Sequence, residues 1–143
     1  MADYIPSTTK WVADQVELYE KSNGQEGATL RGLPVIIVTN TGRVTGATRK
    51  TPLMKVADGN GYVLVASQGG SSKHPYWYYN IKVEPRVIIR DRSETYNMVV
   101  REIENETERA RLWDLAVKAY PPYQDYQDKT DRLIPVFLAE PSS

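Results

Sequence analysis

Residues 41–54 read TGRVTGATRKTPLM. Gly42 and Gly46 stand four apart among Thr41, Thr45 and Thr48, and Arg43, Arg49 and Lys50 add positive charge. Such a segment bends tightly, exposes backbone N–H groups and carries cations. Those are the requirements for holding an anion, phosphate above all. It is not a Walker loop, because the Gly-Lys-Ser/Thr ending is missing and a strand pattern follows where a helix should. Its plain alternative is a surface hairpin with solvated charges. Residues 67–80, SQGGSSKHPYWYYN, set glycines and serines beside the run Tyr76, Trp77, Tyr78, Tyr79. Four consecutive aromatics cannot all enter one core, so some face a pocket or solvent. One stretch suits an anion and the other a flat ring; together they read as a cradle for a phosphorylated, ring-bearing cofactor.

Tyr120, Tyr123 and Tyr126 recur every three residues beside Pro121 and Pro122. They either close one end of the fold or set a hydroxyl against a substrate, as proton donor or clamp. Ser71 and Ser72 next to His74 do not make a hydrolase. There is no Gly-x-Ser-x-Gly elbow, and a histidine so close in sequence is badly placed as a base.

The absence of cysteine excludes disulfides and thiolate metal sites, and the lone His74 excludes a multi-histidine zinc site within the chain. The net charge is zero but unevenly spread. Residues 27–83 hold seven Lys/Arg against the single acid Asp58, a local charge of +6 balanced by −6 elsewhere. The field attracts anions. The basic residues are interleaved with apolar strand positions and form no stripe, so a small anionic ligand is expected and nucleic acid is not. The 143 residues suit a single domain, 1–143, with residues 1–24 as an N-terminal helical arm. No signal-peptide h-region or membrane-spanning run is seen, and a cytoplasmic location is expected.

The elements that must position these residues follow from periodicity. Residues 8–22 predict an amphipathic helix with Thr8 as N-cap and Trp11, Val12, Val16 and Tyr19 on one face. It packs on the body, covers the ligand or touches a membrane surface. Strands are predicted at 34–40, 50–56, 62–67, 86–90, 94–104 and 134–139. Pro52 marks an edge or bulge, and Asp58-Gly59-Asn60-Gly61 a hairpin, so that the first three strands form a meander. Residues 74–83 predict a short helix. Asn105 predicts the N-cap of another, with Glu108 at N3, ending at Pro121. Short hairpin-linked strands favour a mainly β (α+β) architecture, a six-stranded antiparallel closed or split barrel with flanking helices.

Several stretches together resemble one family. They are Thr41-Gly42-Arg43-x-x-Gly46 with Arg49-Lys50-Thr51-Pro52-Leu53-Met54; Val65-Ala66-Ser67 with Gly69-Gly70; Lys73-His74-Pro75-x-Trp77-Tyr78-x-Asn80; and Ala119-Tyr120-Pro121 leading through Tyr123, Tyr126 and Gln127 to Lys129-Thr130-Asp131-Arg132-x-Ile134-Pro135-Val136-Phe137. Across residues 34–141 the chain is similar to the deazaflavin-dependent nitroreductases, actinobacterial oxidoreductases that use coenzyme F420. The resemblance implies an FMN-binding-like split barrel and a cofactor with an anionic phosphate and oligoglutamate tail. It implies that Arg43, Val44 and Thr45, with Arg49, Lys50, Thr51, Pro52, Leu53 and Met54, hold the phosphate and tail. Val65, Ala66, Ser67 and Gln68, with Tyr76, Trp77, Tyr78, Tyr79 and Asn80, would line the ring. Tyr123 would sit near ring and substrate, with Tyr120, Tyr126 and Ser67 around it and Tyr123 or Ser67 assisting protonation. Gln68 stands where many relatives carry lysine, and Tyr79 where histidine is common. The implied reaction is hydride transfer to a planar conjugated acceptor, a quinone first and nitroaromatics incidentally. A non-catalytic deazaflavin- or flavin-binding carrier and an FMN-dependent reductase of the same fold are the alternatives. Homodimers are common among such barrels.

Overall fold

The structure is a computed structural model that describes residues 3–142. Its elements run α1 (Lys10–Lys21), β1 (Thr29–Leu30), β2 (Leu33–Thr41), β3 (Thr48–Met54), β4 (Ala57–Asp58), β5 (Gly61–Val65), α2 (Tyr76–Val83), β6 (Arg86–Asp91), β7 (Glu94–Glu102), α3 (Glu106–Ala119), α4 (Pro122–Lys129) and β8 (Val136–Pro141). All six predicted strands are present, and two-residue β1 and β4 extend the set. The strand order is β1-β2-β6-β7-β8-β5-β4, with β3 on the other side of β2, and every pairing between these strands is antiparallel. The sheet curls into a split β-barrel.

The predicted meander needs a correction. Among the described strands β3 pairs with β2 alone, while β5 pairs with β4 and β8. The Asp58–Gly61 hairpin is real, but it joins β4 to β5. Pro52 explains the break: it has no N–H to donate, so β3 is an edge there, with Pro52 opposite Ile37 of β2.

Two cores share the strands. On β2, Ile36 and Val38 face one core and Val35 and Ile37 the other, so the strand reads as a continuous apolar run. The core inside the curl takes Leu64, Ile89, Met98, Val100 and Phe137, with Trp77 and Ile81 of α2 closing it. The outer core lies under the remaining helices and takes Val16 and Tyr19 of α1, Leu112, Trp113 and Ala116 of α3, and Tyr123 of α4.

α1 packs on the body through Val16 and Tyr19, each contributing about 1.5–3 kcal/mol of burial. The Tyr19 hydroxyl receives the Arg92 N–H at 2.6 Å and reaches the Val35 carbonyl at 3.1 Å. The predicted buried face is narrower than expected. Trp11 is exposed and Val12 half-buried, because only the second half of the helix meets the sheet. The helix begins after Thr9, not Thr8, and no side chain caps it. Asn105 does cap α3, accepting from Glu108 N at 2.9 Å. The polar segment after Pro121–Pro122 is a full helix, α4, with Pro122 in its first turn, where a missing N–H costs nothing. No described helix is long and apolar enough to cross a membrane.

Candidate functional site

The glycine loop is held at both ends. Within it, the Gly42 N–H donates to Ala47 O at 2.7 Å and the Gly46 N–H to Gly42 O at 2.8 Å, with Gly46 at φ 74°. Strand parity carries Asn40, at the end of β2, onto the inner face with Ile36 and Val38. There it meets α2. Asn80 Nδ2 donates to Asn40 Oδ1 at 2.8 Å, and Asn80 Oδ1 receives the Arg43 N–H at 3.0 Å. Both asparagines are buried, so the bond between them is protected from water, while the bond to the Arg43 N–H lies at the edge of the buried region.

Helical spacing sorts the aromatic run. Trp77 and Ile81 enter the inner core, with the Trp77 ring 5.9 Å from Phe137. Tyr76, Tyr79 and Asn80 share the face toward the loop. The Arg43 guanidinium lies over the Tyr79 ring, 5.1 Å from its centroid. Tyr78 is half-buried and stacks on His74 at 4.1 Å.

A cavity of about 420 Å³ opens between these parts, lined by Ser7, Thr8, Thr9, Gly42, Arg43, Val44, Thr45, Arg49, Tyr76 and Asn80. Its third wall is the segment before α1, which lies along β3: Thr48 N donates to Asp3 O at 2.9 Å and Ile5 N to Thr48 O at 3.0 Å. The arm therefore both packs on the body and helps build the cavity. Tyr76 stands at the mouth, 88% exposed. Among the described residues neither Arg43 nor Arg49 forms an ion pair. Two unneutralised guanidiniums, three hydroxyl residues of the arm and an exposed ring fit an anionic, ring-bearing cofactor.

Lys50 is different. Its ammonium bonds both carboxylate oxygens of Glu20 on α1, at 2.7 and 2.9 Å, and lies over the Tyr4 ring. Its charge ties the arm to β3. Thr51, Pro52 and Leu53 are half-buried along β3, and Met54 is buried in the outer core.

The other predicted residues form a second group. Val65 ends β5 and Ala66 follows it, and both are buried. The Ala66 N–H donates to Pro135 O and its carbonyl accepts from Arg132. Ser67 is buried and leads into a tight turn, where Gln68, Gly69 and Gly70 have φ of 45°, 62° and 82°. This turn packs on α4 and the tyrosine cluster. Tyr120 and Tyr126 share a hydroxyl bond of 2.9 Å, and Arg31 Nη1 donates to the Tyr120 hydroxyl at 3.0 Å. The Tyr123 ring lies 4.9 Å from that of Tyr120, in the outer core and 4% exposed. Burial, and then Tyr120 and Tyr126, push the Tyr123 hydroxyl far above the ordinary tyrosine range. Tyr120 is raised by burial first and by its bond to Tyr126 second. These hydroxyls stay protonated at neutral pH. Neither Ser67 nor a member of the tyrosine cluster lines the 420 Å³ cavity.

Three participants carry no local signal of their role in the sequence. Asn40 shows there only as the end of a strand and Arg31 only as one cation of the basic field. Arg132 makes four hydrogen bonds to residues 66–74 that no local pattern announces.

Residues 11–141 match the family described as F420H(2)-dependent quinone reductase. An F420H(2)-dependent quinone reductase of Mycobacterium tuberculosis is 33% identical over 124 residues, which cover 85% of this chain and 83% of that protein. Among solved structures, one described as an F420-H2 dependent reductase is 49% identical with a TM-score of 0.71, covering 75% of this chain and 94% of its own. Another, described as a domain-swapped dimer, is 44% identical with a TM-score of 0.73, covering 94% of this chain and 100% of its own. The chain belongs to the F420H(2)-dependent quinone reductase family, oxidoreductases that use coenzyme F420.

Proposed function

We propose that this protein reduces a quinone with a hydride drawn from reduced F420, and that nitroaromatic reduction is incidental to that activity. The observation that carries the reading is the pair Arg43 and Arg49 on one cavity, without carboxylate partners among the described residues, beside the exposed Tyr76. The two guanidiniums hold the phosphate and tail, with Thr45 and residues 7–9 as hydroxyl donors. Tyr76 and the Ser67–Gln68 turn border the ring side. Bound reduced F420 supplies the hydride.

The chain's own residues orient the partners, exclude water and deliver the proton that completes the hydroquinone. Tyr126 is half-buried, whereas Tyr123 is enclosed. Arg31 donates to the Tyr120 oxygen, so Tyr120 is free to donate to Tyr126 and Tyr126 to the acceptor. In this arrangement Tyr126 gives the proton and Tyr123 holds the cluster in place.

Separate fluorescence titrations with F420 and FMN test the cofactor, and loss of F420H2 absorbance with a water-soluble benzoquinone tests the reaction. Tight binding of F420 with quinone-dependent oxidation is expected. Preference for FMN would assign the barrel to flavin chemistry. Saturable F420 binding with no acceptor turnover would make the protein a carrier.

A further inference from the structure

We propose that Arg132 is the positioning residue of the site: it fixes the turn that presents Ser67 and Gln68 and polarises the backbone N–H groups of both. The proposal rests on the cofactor reading above. Arg132 Nε donates to Ser71 O at 2.7 Å, Nη1 to Ala66 O at 3.1 Å and Nη2 to Ser67 O at 2.6 Å. One planar fork thus clamps three carbonyls of a single turn, which a lysine point charge cannot do.

The turn requires a clamp. Three consecutive residues, Gln68, Gly69 and Gly70, sit in the left-handed region, and Gln68 has a Cβ that opposes it. Arg132 forms no ion pair among the described residues, so no carboxylate competes with the turn for its charge.

The polarisation follows from peptide geometry. No described peptide is cis, so each N–H points opposite its own carbonyl. The Ala66 carbonyl shares its peptide with the Ser67 N–H, and the Ser67 carbonyl with the Gln68 N–H. A guanidinium on each carbonyl draws electron density from the N–H on the far side. Both amides become stronger donors toward a carbonyl or anion that faces the turn.

His74 sets the guanidinium's angle. Arg132 Nη1 lies 3.1 Å from His74 Nδ1, and arginine has no acceptor, so Nδ1 is unprotonated and accepts. Stacking on Tyr78 fixes the ring.

The test uses Arg132→Lys and Arg132→Gln, and Arg132→Ala for chemical rescue, with amide NMR and hydrogen exchange on the protein without cofactor, followed by F420 titration. Upfield movement of the Ser67 and Gln68 amide protons is expected. Exchange at Gly70 and Ser71, whose N–H groups bond Ser67 O and Gln68 O, should quicken about tenfold. F420 affinity should fall about tenfold in both variants, the lysine included, and added guanidinium should restore part of it in Arg132→Ala. Unmoved amides, or wild-type F420 affinity in Arg132→Lys, would overturn the proposal. Failure of the wild-type protein to bind F420 would instead sink the cofactor reading, and the amide measurements would still decide whether Arg132 holds the turn.

Discussion

Asn80 donates to Asn40 Oδ1 at 2.8 Å and takes the Arg43 N–H at 3.0 Å on its own oxygen. One carboxamide thereby joins α2, the end of β2 and the start of the glycine loop. Asn80→Ala leaves the buried Asn40 and the loop N–H without their partner, at a cost of about 1–3 kcal/mol. A lower melting temperature and weaker F420 binding are expected together. Unchanged affinity in a destabilised variant would show that the loop orders itself.

Arg49 and Lys50 are neighbours with different duties. Arg49 lines the cavity without an ion pair among the described residues, while Lys50 is engaged by Glu20. Arg49→Ala should weaken F420 binding about tenfold or more, with turnover at saturating cofactor retained. Lys50→Ala should leave affinity within about twofold and instead loosen the arm, since the partly buried Lys50–Glu20 pair ties α1 to β3 and its loss leaves the Glu20 carboxylate without its partner. Titration of both variants in low and high salt checks the split. Equal losses would place Lys50 in the anion site.

How much of this was legible in the sequence depends on the range of the signal. The six strands, the α3 cap and the edge at Pro52 were readable because periodicity, capping and a missing N–H act within a few residues. The loop cations and the aromatic helix were readable by type, and the structure sets Arg43 and Arg49 on one cavity with Tyr76. The partner of β5 was not readable, because β8 lies some seventy residues away and nothing local encodes that pairing. The same holds for Lys50, which reads as an anion anchor until Glu20 arrives from α1. Arg132 looks like any surface arginine until the fold brings three carbonyls to it.

His74 links stability to pH. Burial first, and the nearby Arg132 second, hold its pKa below the ordinary value of 6.5, against a weaker opposing effect from Glu102 on β7. From α2 it is faced by Tyr78 and Tyr79, and Lys82 lies beyond Tyr78 in an ion pair with Glu102. As pH falls from about 6.5 through the lower folded value, the unfolded chain takes its proton first, so stability drops across that window. Above it the histidine contributes no slope. Melting curves at pH 7.5 and 5.5 should show a larger acid loss in the wild type than in His74→Gln. Parallel losses would acquit His74.

Gly70 lets α4 approach the turn. A Cβ there would stand 2.8 Å from Tyr126 O and 3.0 Å from its Cα, at φ 82°. Backbone cannot yield as a flexible side chain would. Gly70→Ala should cost about 2 kcal/mol or more, as strain at a left-handed site joined to a clash. Denaturant melts measure it. A neutral result would mean that α4 is free to shift.

The tyrosine cluster separates proton delivery from packing. Tyr123 is 4% exposed and Tyr126 half-buried, and only Tyr126 and Tyr120 share a hydroxyl bond. If Tyr126 protonates the reduced acceptor, Tyr126→Phe lowers kcat about tenfold or more with F420 affinity intact, because general-acid assistance is commonly worth 10²–10⁴-fold. The solvent isotope effect on kcat should shrink with it, since the proton in flight is gone. Tyr123→Phe removes one enclosed hydroxyl and should leave kcat within about twofold. The opposite ranking would mean that α4 moves on ligand binding and turns Tyr123 out of the core toward the substrate.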